Sequence, residues 1–316
     1  MSFFSRAKKR SGWLAVGFTA EGVCAACVKR IPTHKPKVRI CETFPGKKND
    51  CADALEKILK DLQANRYHCT SLLGAGEYQL MSVDAPNVPP AEMKSALRWR
   101  LKDLLDYPID QATFDLLAVP LDSHAPERNH VLFAVAAHNN IIASHQNLFL
   151  SSNIGLTVID VPEMAQRNIS ALIEVEGSGL AMLSFDADGG LLTVTYGGNL
   201  FLARRIDVNL QQLEHGTSEQ REAAYDKITL ELQRSLDHFD RQYHFISLTK
   251  LVLAPMAEEG ERLYNYLATN MYLSVEWLDL LDIFDCSKVP QLKDKHLQHR
   301  YFLALGAALR QEENLA

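Results

Sequence analysis

The sequence lacks the features that mark several large classes of protein. Its most apolar runs, such as Val131 to Ala137, are much shorter than the ~20 residues that a helix needs to cross a bilayer. The first residues contain no apolar core of a secretory signal. The net charge of −6 also argues against a protein that binds nucleic acids, because affinity for the phosphate backbone comes mainly from clustered Lys and Arg. We therefore expect a cytoplasmic protein that does not bind nucleic acid.

Motifs for metal, redox or nucleophilic chemistry are missing as well. Of the six cysteines, only Cys24 and Cys27 form a Cys-x-x-Cys pair, and they lie in an apolar run that is typical of a strand. Because residues three apart on a strand point to opposite faces, we expect structural, reduced thiols. No histidine cluster at ligand spacing, P-loop lysine or Gly-x-Ser-x-Gly motif is present. We expect no metal site.

Two segments about half a chain apart share one form. Residues 12–29 (GWLAVGFTAEGVCAACVK) and 179–206 (GLAMLSFDADGGLLTVTYGGNLFLARRI) each contain an apolar strand, a polar turn with glycine and a second apolar strand. Mixed strand and helix patterns follow each hairpin. With 316 residues, the chain is long enough for two lobes. We predict an α/β protein with mixed sheets and duplicated halves.

The apolar spacing predicts the remaining elements. Strands are expected at 38–44, 71–74, 79–83, 114–119, 130–137, 155–161, 250–254 and 274–278. Helices are expected at 51–65, 89–105, 139–152, 163–173, 221–243, 258–271 and 298–310, and a loop at 210–219.

Prolines at 86, 89 and 90 indicate a subdomain boundary. The predicted organisation is a first-lobe core at 1–88, an inserted α/β subdomain at 89–158, a connecting segment at 159–175, a second lobe at 176–297, and a closing helix with a tail at 298–316.

Four segments, in order, carry a resemblance to a known family. They are AEMKSALRWR at 91–100 with YPID at 107–110, GLTVIDVP at 155–162, the helix at 230–243, and YFLALGAALR at 301–310. With the two hairpins, they make the chain similar to the PilM/MshI group of actin-like proteins that help to assemble type IV pili. The resemblance implies a bilobal actin-like (ribonuclease H-like) fold, in which the two hairpin turns face each other across a nucleotide cleft.

The resemblance also implies where a nucleotide would bind, and both hairpin turns depart from the family pattern. An actin-like ATPase uses a carboxylate in each turn to hold magnesium and its waters. In the first turn the family has D-I-G-S-S, and this chain has Ala15-Val-Gly17-Phe-Thr19. In the second turn, Ser184 stands at the place of the aspartate unless the turn is shifted by two residues, which would make Asp186 the equivalent carboxylate.

The adenine-side turn departs too, since Pro255 and Met256 replace glycines of the family. These departures make the chain more similar to MshI, of mannose-sensitive haemagglutinin (MSHA) pilus systems, than to PilM. We expect no ATP hydrolysis, weak or absent nucleotide binding and no resident cofactor. The alternative is a site for ATP and magnesium at Gly17, Thr19, Asp186 and Asp188. Residues 186–190 also fit a plain hairpin turn, which would need no ligand.

A partner site is implied by the same resemblance. In the family, the groove between the insert and the first lobe receives the N-terminal peptide of a membrane-anchored PilN-type partner. The expected positions are Arg98, Trp99, Leu101, Lys102 and Tyr107, although the apolar residues among them fit the core stripe of a helix equally well.

The N-terminal segment at 3–10 has two aromatic and four basic residues, which suit peripheral contact with an anionic inner membrane or a simple tail. The leading hypothesis is a non-enzymatic scaffold of a type IV pilus platform. The alternatives are a weak actin-like ATPase and a cytoplasmic subunit of a type II secretion platform.

Overall fold

The structure is a computed structural model that describes residues 12–19, 22–46, 51–120, 131–257 and 259–311. The predicted membrane contact of the N-terminal segment lies outside the described residues. The strands are β1 Trp13–Thr19, β2 Gly22–Ile31, β3 His34–Pro45, β4 His68–Leu72, β5 Tyr78–Asp84, β6 Ala112–Ala118, β7 Val131–His138, β8 Leu156–Asp160, β9 Gly179–Phe185, β10 Gly190–Tyr196, β11 Asn199–Ile206, β12 Leu248–Leu253 and β13 Ser274–Trp277.

The helices are α1 Cys51–Leu62, α2 Pro90–Leu101, α3 Asn139–Ser151, α4 Pro162–Ser170, α5 Leu210–His215, α6 Ser218–Gln242, α7 Gly260–Asn270, α8 Leu280–Ile283 and α9 Lys295–Ala308. Single 3₁₀ turns occur at Ala64–Arg66, Ile109–Gln111 and Pro290–Lys293. Within the described ranges, none of the helices combines the length and apolarity that a bilayer crossing requires.

Two five-stranded sheets repeat the same topology. The first-lobe sheet has the order β3-β2-β1-β4-β8 and the second-lobe sheet the order β11-β10-β9-β12-β13. In each, three antiparallel strands are followed by two strands that run parallel to the first strand of the lobe. The predicted duplication of the α/β halves is therefore confirmed.

Alternating side chains on each sheet build a layered molecule. On β9, Met182 packs in a cluster with α4 and α9, whereas Leu183 packs with α6 and α7. On β1, Ala15 joins the same cluster as α4 and α9, whereas Leu14 packs against α1 and α3. Helices α4 and α9 thus lie between the two sheets, and the other helix pairs cover the outer faces.

The two inner helices approach each other closely at a glycine. A Cβ atom on Gly306 of α9 would lie 2.2 Å from the carbonyl oxygen of Ala165 on α4. Beside this contact, the Asn168 side chain donates a hydrogen bond to the Gly306 carbonyl oxygen at 3.0 Å. The absence of a side chain on Gly306 therefore sets the spacing of the layer between the sheets.

The Cys-x-x-Cys pair is structural, as expected. Cys24 packs in the inner cluster with α9, whereas Cys27 packs on the outer face with α1. Both side chains are buried, and burial raises the pKa of Cys24 to about 11. The Cys24 thiol is therefore not activated for redox chemistry.

A third sheet forms the insert. Its order is β5-β7-β6, all antiparallel, and α2 covers one face with Leu97 and Leu101. On the other face, Phe133 of β7 joins the core cluster of the second lobe.

The sheet order shifts the predicted boundaries of the insert. Strand β5, which precedes the prolines, pairs along its whole length with β7, so it belongs to the insert. Strand β8 pairs with β4 and completes the first-lobe sheet. The proline-rich segment is a connection inside the insert, between β5 and α2, rather than its border.

Three details differ from the sequence predictions. The segment predicted as a loop at 210–219 contains α5, because Asn209 and Gln212 form a reciprocal capping box at its start. The second hairpin is a three-stranded meander, because Gly197 and Gly198, with φ values of 57° and 72°, make a second turn. Helix α2 ends at Leu101 rather than at residue 105.

Candidate functional site

The first hairpin turn uses its polar side chain internally. Thr19 Oγ1 donates a hydrogen bond to the Gly22 carbonyl oxygen at 3.1 Å and thereby closes the hairpin. Gly17 lies opposite Cys24 in the ladder, and Ala15 is buried where the family carries its aspartate. Residues 20 and 21 lie outside the described residues.

The second hairpin turn is closed by a carboxylate. Asp186 Oδ1 accepts hydrogen bonds from the backbone N–H groups of Asp188 at 2.8 Å and Gly189 at 2.9 Å. The Asp186 N–H group donates to the Gly189 carbonyl oxygen at 2.9 Å, and Gly189 has φ of 144°, which favours glycine. This geometry is that of a hairpin turn that is complete without a ligand. Nucleotide contact by these residues stays a prediction.

Ser184, which the unshifted register aligns with the family's aspartate, faces a buried amide. Its Oγ donates a hydrogen bond to Gln166 Oε1 of α4 at 2.6 Å. The Gln166 Nε2 group donates to the Met182 and Leu191 carbonyl oxygens and to Thr193 Oγ1, at 2.9, 3.2 and 2.9 Å. Because Gln166 is fully buried, this bonding ties α4 to the second-lobe strands.

The adenine-side turn is filled by large side chains. Met256 is buried, and a Cβ atom on Gly260 would lie 2.5 Å from a ring carbon of Trp277. Glu259, which precedes the glycine, pairs with Arg262 at 2.9 Å and with Arg221 at 3.7 Å. The glycine at the start of α7 thus makes room for a tryptophan of this chain.

A polar cluster joins the lobes beside the second turn. The Tyr78 hydroxyl donates to Glu163 Oε2 at 2.5 Å, and Arg205 Nη2 donates to the Tyr78 hydroxyl oxygen at 2.8 Å. Arg205 also lies 3.4 Å from Glu163 Oε1 and, through Nη1, 3.7 Å from Asp186 Oδ2. Burial and the Glu163 charge raise the pKa of Tyr78 far above its usual value, so its hydroxyl stays a donor. We call Tyr78, Glu163, Asp186 and Arg205 the interlobe cluster.

No pattern in the sequence pointed to the interlobe cluster, because its four residues come from four separate elements or turns. As for metals, no group of three or more His, Cys, Asp or Glu residues in the described part of the chain is placed to hold an ion.

Of the five positions predicted for partner binding, some are exposed and others are buried. Trp99 is 75% exposed, whereas Leu101 is fully buried in the core beneath α2, as the core alternative required. Arg98 pairs with Asp110 at 2.6 Å, and Lys102 is exposed.

Tyr107 is the fifth of these positions. Its ring packs against that of His138, with centroids 5.2 Å apart. Its hydroxyl oxygen is buried and has no hydrogen-bond partner among the described residues. Tyr107 therefore lies at the end of the insert sheet, where β7 meets α3.

A groove of about 620 Å³ lies between the insert and the first lobe. One wall is β8, the edge strand of the first-lobe sheet, and the other is β6, an edge strand of the insert sheet. Helix α3 contributes to the lining as well. The surface is mainly aliphatic, with contributions from Leu73, Val135, Ala137, Ile142, Val158 and Val161.

One end of the groove carries charge. Lys94 of α2 and Asp115 of β6 line it and form an ion pair at 3.4 Å. The Lys94 ammonium also lies 5.5 Å from the centre of the Phe114 ring. Lys94 is the α2 residue that reaches the groove, and none of the five predicted positions lines it.

The groove runs between the insert and the first lobe, and partner binding there stays a prediction. The resemblance implies a site at the α2 residues that carry the family motif. The lining comes instead from β6, β7, β8 and α3, and their apolar residues were predicted as ordinary strand and helix core.

No protein-family model and no curated protein matches the sequence. Among solved structures, the PilM–PilN type IV pilus biogenesis complex is similar with a TM-score of 0.75 and 18% identity, over 95% of this chain and 98% of that one.

Two further solved structures are similar at a TM-score of 0.51. One is a Bacteroides thetaiotaomicron protein of actin-like ATPase fold, with 10% identity over 93% of this chain and 99% of that one. The other is the cytoplasmic domain of EpsL, an inner-membrane component of the Vibrio cholerae type II secretion system, with 13% identity over 97% and 98%. At these identities the comparisons show the fold, and this chain has the bilobal actin-like fold that its sequence predicted.

Proposed function

We propose that this protein is a cytoplasmic, non-enzymatic scaffold of a type IV pilus assembly platform, and that its groove holds the N-terminal cytoplasmic tail of a PilN-type inner-membrane protein. The observation that carries the proposal is the apolar groove between two edge strands. The likeness to PilM in a PilM–PilN complex supports a partner of this kind. Binding of that tail would keep the scaffold at the inner face of the inner membrane.

The chemistry of the groove suits an extended peptide. Edge strands present unpaired backbone N–H and C=O groups, so a peptide can add to β8 or β6 as a further strand. Its alternate side chains then enter the aliphatic lining, as in other cases of strand addition. At the charged end, Asp115 is 90% exposed on its side chain and is available to a basic residue of the partner.

The experiment is a titration of the full chain into a labelled synthetic peptide with the sequence of the cytoplasmic N-terminal tail of the PilN-type protein from the same genome. We expect saturable binding, followed by fluorescence anisotropy. Binding to the tail of a type II secretion partner alone would favour the second candidate, which the likeness to the EpsL domain supports. An MSHA system is the pilus that we propose, from the departures in the hairpin turns.

Trp99 provides a test of which surface holds the peptide. We expect Trp99→Ala to leave the peptide affinity within about threefold of wild type, because a change below 1 kcal/mol is normal for a contact outside the buried centre of an interface. The measurement is the same anisotropy titration. A loss of tenfold or more would show that the exposed face of α2 belongs to the site, as the sequence suggested.

The second prediction concerns nucleotide binding in the cleft between the two hairpin turns. We propose that the cleft does not hydrolyse ATP, because the resemblance aligns Ala15 and Ser184 with the two carboxylates, and Thr19 and Asp186 are engaged within their own turns. Calorimetric titration with Mg-ATP is expected to show no micromolar binding.

The matched variant for that titration is Asp186→Asn. It keeps the oxygen that accepts the two turn hydrogen bonds, and it replaces the oxygen that faces Arg205 by an uncharged amide group. Micromolar Mg-ATP binding that Asp186→Asn abolishes would contradict the proposal and favour the weak ATPase alternative.

A further inference from the structure

The interlobe cluster joins three parts of the fold at one point. Tyr78 begins the first strand of the insert sheet, Glu163 lies in the first turn of the inner helix α4, and Arg205 and Asp186 belong to the second-lobe meander. Arg205 contacts the other three members, whereas Tyr78 and Glu163 also contact each other. The guanidinium is therefore the centre of the cluster.

Burial makes these contacts specific to one arrangement of the lobes. The Glu163 side chain is 3% exposed, and a carboxylate at that depth requires a positive or donating partner. Arg205 and the Tyr78 hydroxyl are its partners from the other two parts of the fold. Because Gln166 holds α4 on the second-lobe strands, moving the insert away from the second lobe would separate the Tyr78 hydroxyl from both Glu163 and Arg205.

We propose that Arg205 is an internal cation that fixes the closure of the two lobes without a nucleotide. In an actin-like ATPase, the two hairpin turns meet through the nucleotide and its metal. Here the turn that carries Asp186 is linked to α4 and to the insert by the Arg205 side chain. The proposal concerns lobe geometry and does not depend on what the groove binds.

Neighbouring arginines do not share this role. Arg310 pairs with Asp160 at 2.9 Å, and the Arg30 side chain donates to the Leu309 carbonyl oxygen at 2.7 Å, so both link α9 and its end to the first-lobe sheet. Arg204 precedes Arg205 on β11, is exposed, and makes no ion pair with a described residue. It provides the matched control.

The experiment measures the distance between the lobes in the full chain. Spin labels are placed at Lys57 on α1 and Ala268 on α7, two exposed positions, through a noncanonical amino acid, since the chain has six cysteines. Pulsed electron resonance then gives the distance distribution. We expect a single narrow distribution for the wild type, unchanged by Mg-ATP.

Replacement of Arg205 should release the second lobe. For Arg205→Gln we expect a longer mean distance and a broader distribution, and for Arg204→Gln the wild-type result. Because Arg205→Gln leaves the Glu163 charge buried and can unfold the chain, the double variant Glu163→Gln/Arg205→Gln removes both charges together. We expect it to fold and to show the same broadening.

Two results would overturn the proposal. One is a wild-type distance distribution in a folded Arg205→Gln or double variant, which would make the cluster a passive surface contact. The other is a broad distribution for the wild type that narrows only on addition of Mg-ATP. That result would mean that a nucleotide, and not Arg205, fixes the distance between the lobes. Neither result depends on whether the peptide binds the groove.

Discussion

Replacement of Val158 by glutamate is expected to weaken binding of the partner tail by about thirtyfold or more. Val158 lies on β8, lines the groove and is partly buried beside aliphatic residues. A docked peptide would cover the new carboxylate and leave it without a partner, at a cost of about 2 kcal/mol or more, which corresponds to about thirtyfold in affinity. The measurement is the anisotropy titration with the labelled tail.

The control introduces a glutamate at an apolar position outside the groove. Leu230 on α6 is 46% exposed in the second lobe, so Leu230→Glu adds an equal charge to an exposed apolar position outside the groove. We expect it to bind as the wild type does. Thermal unfolding of both variants verifies that they are folded. Unchanged affinity in a folded Val158→Glu protein would exclude the groove as the peptide site.

Much of the fold was predictable because local patterns decided it. Strands β1, β2 and β9 alternate between two buried layers, and the long helix α6 has one apolar face, so their spacing identifies them. The exceptions had local signals of another kind. The capping pair Asn209 and Gln212 indicates a helix, and Gly197-Gly198 indicates a hairpin turn.

The end of α2 shows where such patterns fail. The apolar stripe on its sequence continues to Leu104 and Leu105, but the helix ends at Leu101, and Leu104 is 52% exposed. Periodicity predicts which residues share a face and does not predict where a helix stops. Trp99 is exposed for a different reason, because it lies two residues from both Leu97 and Leu101 and so on the opposite side of the helix.

The candidate sites depended on contacts that sequence patterns do not contain. The groove forms because β8 and β6 are edges of two different sheets that lie side by side. The interlobe cluster combines Tyr78, Glu163 and Arg205, which are separated by up to 127 positions. The loss of the turn carboxylates stays a prediction, because it depends on the register in which the resemblance aligns Ser184 or Asp186 with the family's aspartate.

The layer between the two lobes leads to a prediction in which two physical effects have opposite signs. In a helix, glycine is less favourable than alanine by about 1 kcal/mol, so propensity alone predicts that Gly306→Ala stabilises α9. The new Cβ, however, would lie 2.2 Å from the Ala165 carbonyl oxygen, which is backbone and cannot rotate away. The helices must separate, which also strains the hydrogen bond from Asn168.

We expect the steric effect to dominate, with a net loss of about 3 kcal/mol in the free energy of unfolding, at the upper end for overpacked cores. Denaturant unfolding followed by circular dichroism measures it. The control is Gly155→Ala, because a Cβ there meets no atom within 4 Å, and its expected effect is within about 0.5 kcal/mol. If Gly306→Ala proved as stable as the wild type, α4 and α9 would be free to move apart. The two lobes would then be held mainly by the contacts of Gln166 and Arg205 rather than by the helix crossing.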